Sequence, residues 1–165
     1  MAVEQIYERE GETNAAVLVN NMVANLGLLH VKLHQYHWHV QGPHFFTLHA
    51  QFEELYNGAN DYFDQFAERL ISMGKTPYST LEEFLENAVI QEKKYEKKMS
   101  ETEMVEDIVN DYRTLRAVTE KAIELAGNEN DAVTEDMMIA YKDSVDTTIW
   151  MLQAYLGKGA LEGEK

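Results

Sequence analysis

The sequence contains no cysteine in its 165 residues. That absence excludes a disulfide scaffold, a thiol nucleophile and every metal site built on thiolates. Proline occurs twice and glycine nine times, and so few helix-breaking residues favour a few long helices over a strand-rich sandwich. No apolar run approaches the ~20 residues that a membrane span needs, and the acidic N-terminus lacks the apolar core of a secretion signal. We therefore expect a cytoplasmic protein with no membrane partner.

Basic residues are scarce: 14 lysines and arginines stand against 29 aspartates and glutamates, for a formal net charge of -15. Such a surface repels nucleic acid unless its basic residues cluster locally, and it attracts cations. Hydrophobic residues make up 45% of the chain, enough to build a packed core. We expect one domain over 1–165, with a flexible N-terminal tail over 1–13 and a short C-terminal tail over 158–165.

Apolar residues recur at spacings of three and four in four segments of roughly 25 residues each, the pattern of amphipathic helices. The predicted helices cover about 14–40, 48–73, 100–127 and 134–157. Thr47 is the expected N-cap of the second helix, and Gly74 is expected to follow its end. Ser100 and Glu103 have the spacing of a capping box at the start of the third.

The lengths of the connections predict the topology. A short turn with Gly42 and Pro43 makes the first two helices antiparallel neighbours, and a second short connection pairs the last two. The segment 75–99 is long enough to cross the bundle, and Ser79 with Glu82 suggests a short helix inside it. The sequence therefore predicts an all-α fold: a ferritin-like four-helix bundle whose long crossover, with a short helix, lies between helices two and three.

All six histidines lie between His30 and His49, which is the strongest chemical signal in the sequence. His37 and His49 are each six residues from Pro43. An antiparallel hairpin about that turn places the two side by side. They are either a pair of metal ligands or two polar histidines near a helix end, and their spacing alone leaves both interpretations open.

Carboxylates on the second helix add a second group of candidate ligands. Asp64 and Glu68 are four residues apart and share a helix face, and with His49 and Glu53 they fall within an arc of roughly 100°. The alternative is that these carboxylates form a solvent-exposed acidic stripe. The apolar residues next to Asp64 and Glu68 in the sequence disfavour that alternative. His49 and Asp64 are about 22 Å apart along the helix, so they cannot bind one ion within one chain.

A two-fold dimer would unite these ligands. If two copies of the second helix pack antiparallel about an axis near Gly58, His49 of one chain faces Asp64 and Glu68 of the other. Glycine inside a helix costs roughly 1 kcal/mol relative to alanine, so Gly58 is expected to have a packing role. Imidazole with carboxylate suits Fe(II), Zn(II), Mn(II) or Co(II). The Glu-x-x-His pairs of di-iron centres inside one bundle are absent from the sequence.

The stretches 34–49 and 64–70 carry a specific joint motif: His-Trp, then Phe-Phe-x-Leu-His, then Asp-x-x-x-Glu-Arg. With 79–85 and 146–157, they make the chain resemble the Dps family of ferritin-like shell proteins over roughly 14–161. The resemblance implies a homo-dodecamer built from two-fold dimers around a hollow interior. It implies that Fe(II) is oxidised, preferably by hydrogen peroxide, and stored as Fe(III) mineral, which protects against oxidative damage.

The resemblance also implies roles for particular residues. The ferroxidase ligands, which are also the catalytic residues, are His37 and His49 from one chain with Asp64 and Glu68 from the other. Glu53 stands where the family often has an aspartate near a second iron ion. Trp38 is expected close to the iron as an electron donor for stray radicals, or as an aromatic residue of the dimer interface.

Acidic residues near the start of the fourth helix fall, by the same resemblance, at a three-fold pore through which ions enter. Asp131 and Asp136 are the candidates. The alternative is that these acids serve only the helix, because negative charge near a helix N-terminus is favourable by itself.

Two other functions compete with iron storage. A DNA-binding and compacting protein is disfavoured, because neither end of the chain is basic. The first dozen residues hold four glutamates against Arg9, and the C-terminal tail holds lysines and glutamates in equal number. A dodecamer would carry a formal charge of roughly -180. A metal-binding helical assembly without redox turnover would use the same ligands, and it would differ only in failing to oxidise Fe(II).

Overall fold

The computed structural model describes residues 4–6, 11 and 14–164. Within these residues the chain forms four long helices, one short helix, a helical segment at 4–6, and no strand. The helices are α1 (Ala15–His39), α2 (Phe45–Ser72), α3 (Leu81–Asn87), α4 (Glu101–Asn128) and α5 (Ala132–Tyr155). α1 packs along α2 and α4 packs along α5, while α1 also contacts α4 and α3. The predicted four-helix bundle with a short helix in its long crossover is therefore confirmed.

α1 is the most enclosed helix, because it packs against three of the other four. Leu18, Met22, Leu29 and Leu33 are all fully buried along its length. In the described chain α1 is also the one helix long and apolar enough to span a membrane, and 67% of its apolar stretch is buried inside the bundle. The core helix of a folded bundle meets the same test, so this stretch serves the core here.

The helix starts follow local capping chemistry. Asn14 accepts a hydrogen bond from the backbone N–H of Val17 at 3.0 Å and caps α1. Ser100 and Glu103 form the predicted capping box of α4. The box of α3 is formed by Thr80 and Glu83 rather than Ser79 and Glu82, so that prediction was wrong by one residue. The Glu83 carboxylate accepts the backbone N–H groups of Ser79 and Thr80, which selects this register.

The start of α2 differs from the prediction. The helix begins at Phe45, with His44 at the N-cap position and no side-chain cap from Thr47. A carboxylate from α4 takes the place of a local cap: Glu101 accepts the backbone N–H of His44 at 2.8 Å. Gly42 makes this possible, since a Cβ there would lie 2.6 Å from that carboxylate.

The turn between α4 and α5 also differs. α4 continues through Gly127 to Asn128, and the residue with positive φ is Asn130, at 58°. α5 begins two residues before Thr134, with Asp131 as its N-cap. α2 and α5 end shortly before Gly74 and Gly157, as predicted.

The C-terminal segment 158–164 is tied to α4 by charged side chains. Lys158 pairs with Glu106 at 2.7 Å, and Arg116 pairs with Glu164 at 2.6 Å. The flexibility predicted for 1–13 concerns mostly residues outside the described part of the chain. Of the described ones, Ile6 is buried.

Candidate metal centre

The hairpin between α1 and α2 brings His37 and His49 into direct contact. His37 Nδ1 donates to the carbonyl oxygen of His49 at 2.7 Å, and His49 Nδ1 donates to the carbonyl oxygen of His37 at 2.8 Å. The second bond uses one of the carbonyls that the last turn of α1 leaves without an intrahelical partner. The two rings stack with centroids 3.6 Å apart and an angle of 19° between their planes.

This reciprocal pair determines the chemistry of the free nitrogens. A carbonyl oxygen only accepts, so both Nδ1 atoms carry the proton and both Nε2 atoms keep a lone pair in the neutral form. Histidines that bind metals usually donate their other N–H to a carbonyl or carboxylate in this way. The hydrogen bonds therefore leave two imidazole nitrogens with the lone pairs that metal binding requires.

Aromatic side chains hold the pair in place. The ring of Phe45 stacks on His49 at 5.0 Å, and the edge of Tyr56 meets His37 at 5.4 Å. His37 is buried and His49 is half-buried. The His49 ring stacks on both His37 and Phe45, and such packing limits its alternative rotamers, so little conformational entropy remains to be lost there when a ligand binds.

The carboxylates of α2 do not join the histidines within one chain. Asp64 and Glu68 are exposed, at least fifteen residues beyond His49 on the same helix, or about 22 Å. Glu53 is exposed one turn after His49. In the described part of the chain, no group of three or more histidine, aspartate or glutamate side chains is placed to hold a metal ion. A single chain thus brings together two of the predicted ligands and leaves the others apart.

Gly58 has no packing role inside the chain. A Cβ built on it would meet nothing within 4 Å. Glycine here gives up helix stability without relieving any contact in this chain. Its small size is therefore available for a contact with something outside the chain.

Large apolar side chains near the histidine pair are exposed. Trp38 is 68% exposed and Phe46 is 86% exposed. The ring of Trp38 lies 5.3 Å from that of His34, on the solvent side of α1. Exposed aromatic residues of this size are typical of surfaces that a partner chain covers.

The two candidate pore residues have different surroundings. Asp131 caps α5 through the N–H of Thr134 at 3.1 Å and pairs with Arg69 at 2.7 Å. Burial alone would raise the pKa of Asp131, but the hydrogen bonds from Thr134 and the charge of Arg69 outweigh it and hold the pKa below its usual value. Asp136 is exposed on the next turn. The carboxylate of Asp131 is therefore already engaged within the chain.

A buried charged cluster escaped the sequence analysis. Lys32 of α1 is 5% exposed and contacts Asp107 and Asp111 of α4, each at 2.5 Å. Tyr36 donates to Asp107 at 2.7 Å. Burial raises the pKa of Asp111 to about 6, against the opposing effect of Lys32. The sequence features that could have predicted this cluster are a lysine inside the apolar stretch of α1 and two aspartates four residues apart on α4. The cluster borders a cavity of about 930 Å³ beneath the crossover.

Comparisons with known proteins agree with this architecture. The family model of the ferritin-like domain matches residues 16–161. The DNA protection during starvation protein of Listeria monocytogenes is 46% identical over 144 residues, which cover 87% of this chain and 92% of that protein. The X-ray structure of Dps from Listeria monocytogenes has a TM-score of 0.90 at 44% identity, covering 92% of this chain and 98% of that one. Dps from Staphylococcus aureus has a TM-score of 0.84 at 42% identity, covering 88% and 98%.

Proposed function

Because this chain belongs to the Dps family of ferritin-like proteins, we propose that it oxidises Fe(II) at a site shared between two chains. The family supports iron storage and protection from oxidative damage in general. The finer proposal is a ferroxidase that uses hydrogen peroxide and keeps the ferric mineral inside a homo-dodecameric shell in the cytoplasm. DNA is not an expected partner, because the acidic chain repels it.

The observation that carries the proposal is the reciprocal hydrogen bonding of His37 and His49. It leaves two Nε2 lone pairs on neighbouring, tightly packed rings. Imidazole nitrogen suits iron and the other borderline divalent ions. Two nitrogens alone are an incomplete ligand set, so the centre requires further ligands from elsewhere.

A second chain supplies those ligands in the proposed dimer. An antiparallel pair of α2 helices about an axis near Gly58 places Asp64 and Glu68 of one chain against His49 of the other. The open space around Gly58 within the chain supports such a close approach. The exposed carboxylates then complete the ligand set, and Glu53 is positioned to serve a second ion.

The ligands bear on the redox step through their charge. Two Fe(II) ions each lose one electron, and one hydrogen peroxide takes both electrons with two protons and leaves as two waters. Carboxylates stabilise Fe(III) more than Fe(II), because the attraction grows with the charge of the ion. The histidines hold the ion in place.

Trp38 is the proposed electron donor for radicals that escape from the site. Asp136, with Asp131, is the proposed route of ion entry.

Iron retention tests the proposal. Fe(II) and hydrogen peroxide are added without oxygen, the protein is separated by size, and iron is counted per assembled particle. We expect far more Fe(III) than the ligand sites alone can hold, formed with consumption of the peroxide. The variant His37→Ala/His49→Ala should oxidise Fe(II) slowly.

His39→Ala is the matched control, because His39 lies on the same helix but stacks on Tyr95. It should behave like the unchanged protein. Iron limited to the ligand sites, without peroxide consumption, would contradict the proposal and leave a metal-binding assembly without redox turnover.

A further inference from the structure

A second pair of histidines lies on α1, separate from His37 and His49. His30 and His34 are one helical turn apart, with ring centroids 4.5 Å apart and planes tilted by 59°. Both side chains are half-buried against α2. Two histidines four residues apart on one helix face is the spacing with which helices bind zinc.

The hydrogen bonds of this pair repeat the pattern of the first. His30 Nδ1 donates to the carbonyl oxygen of Tyr56 at 3.1 Å, and His34 Nδ1 donates to the carbonyl oxygen of His30 at 2.8 Å. Carbonyls only accept, so both Nε2 atoms keep their lone pairs in the neutral form. Among the described residues, the hydroxyl of Tyr141 is the only fully buried side-chain polar atom without a hydrogen-bond partner. Neither Nε2 atom is therefore both fully buried and unpartnered.

Tyr56 fixes this second pair and separates it from the first. Its ring stacks on His34 at 3.7 Å with planes 19° apart, and its edge faces His30 at 5.8 Å. The same ring also contacts His37, with centroids 5.4 Å apart and planes perpendicular. The two histidine pairs thus lie in one groove between α1 and α2, with a phenol ring between them.

We propose that His30 and His34 bind one divalent cation of the imidazole-preferring class, such as Zn(II), through their two Nε2 atoms. Bonds of 2.0–2.1 Å in a tetrahedral site place two nitrogen ligands about 3.3 Å apart. Ring centroids 4.5 Å apart are within reach of that spacing. Water completes the coordination. Two nitrogen ligands favour zinc, copper or nickel over magnesium and calcium, which prefer oxygen.

The net charge of the protein favours occupancy of this site. With a formal charge of -15, the chain raises the local concentration of cations around it. The orientation of both rings is set before binding, so the ion does not have to order them. The site is independent of the proposed oxidation of iron, because it uses neither His37 nor His49.

Zinc titration of the assembled protein tests this site. Zn(II) alone is titrated by calorimetry into the unchanged protein, into His30→Gln and into His39→Gln. We expect His30→Gln to lose one Zn(II) per chain, or to bind it more than about 100-fold more weakly, since losing a ligand exceeds the cost of losing an outer-shell contact. His39→Gln should keep the full stoichiometry. Equal zinc stoichiometry and affinity in His30→Gln and the unchanged protein would overturn the proposal.

Zinc binding by a variant that lacks His37 and His49 distinguishes this site from the iron centre. In His37→Gln/His49→Gln the zinc bound by His30 and His34 should remain, and adding His34→Gln should remove it. His34→Gln also tests the site if His30→Gln does not assemble. The rate of Fe(II) oxidation should be unchanged in His30→Gln. Zinc binding that disappears with His37 and His49 alone would overturn the second site and leave the proposed oxidation of iron intact.

Discussion

At the residue scale, the candidate centre depends on how each histidine orients the other. His37 and His49 exchange Nδ1–H to carbonyl bonds across the hairpin, so neither ring can flip without breaking a hydrogen bond in a half-buried site. A buried group left without its partner costs ~1–3 kcal/mol. This cost keeps each Nδ1 on its carbonyl and leaves each Nε2 free of that bond.

The raised pKa of Asp111 predicts how the stability of the fold depends on pH. Its pKa is raised from 3.8 to about 6 by burial. A carboxyl group whose pKa is higher in the folded state stabilises the fold most below its unfolded pKa, and that stability is lost as the pH rises through 6. The difference corresponds to about 3 kcal/mol.

The stability of Asp111→Asn relative to the unchanged protein should therefore rise by about 2 kcal/mol between pH 4 and pH 7.5, because at pH 4 a small part of the effect of Asp111 has already been lost. Asp107 remains to pair with Lys32 in this variant. The apparent free energy of unfolding, measured in urea at both pH values, checks the prediction. The same difference between the two proteins at both pH values would contradict it.

At the element scale, α2 carries His49 of one half of the proposed site, both carboxylates of the other half, and the proposed contact between two chains. Its histidine end is capped by Glu101 from α4, so the hairpin and the second pair of helices are connected. Its middle holds Gly58, where no neighbour in the chain requires glycine. The open space at Gly58 is therefore compatible with the proposed close approach of a second chain.

Gly58→Phe should keep the fold of the chain and disrupt its assembly. A side chain at this position has open space within the chain, but it would hold two α2 helices apart at the proposed axis. We expect unchanged helix content by circular dichroism, loss of the large assembly by size-exclusion chromatography, and loss of Fe(II) oxidation.

Ala117→Phe, at an exposed position of α4, is the matched control for added bulk. Gly58→Ala should raise the helix stability by up to about 1 kcal/mol. A Gly58→Phe protein that assembles and oxidises Fe(II) like the unchanged chain would show that the axis lies elsewhere.

At the scale of the whole molecule, the proposed sharing of ligands between chains predicts a definite activity for mixed particles. In a dimer of a His49→Ala chain with an Asp64→Ala chain, one of the two sites keeps all its ligands and the other loses two. An equal mixture that pairs at random should recover about one quarter of the unchanged activity. Particles of each variant alone should be inactive.

The measurement is the initial rate of Fe(II) oxidation after the two variants are unfolded, mixed and reassembled together. Separate reassembly followed by mixing is the control, and it should give no recovery. A verified mixed assembly without activity would count against a shared site.

Much of this protein could be predicted from the sequence because the relevant interactions are local. The spacing of apolar residues predicted the four long helices, and Ser100 with Glu103 predicted the start of α4. Equal distances from Pro43 were enough to expect His37 next to His49, since a tight hairpin determines which residues of its arms meet. Each of these inferences uses residues a few positions apart or joined by one short turn.

Only the tertiary structure decided the contacts between distant parts of the chain. It replaced the expected cap at Thr47 with Glu101 of α4, and it engaged Asp131 with Arg69. It also buried Lys32 among carboxylates of α4. Such contacts depend on how helices are rotated and offset against each other, and that packing is a property of all their side chains together. The periodic pattern of one helix predicts its buried face, but not which distant side chain meets a given residue on it.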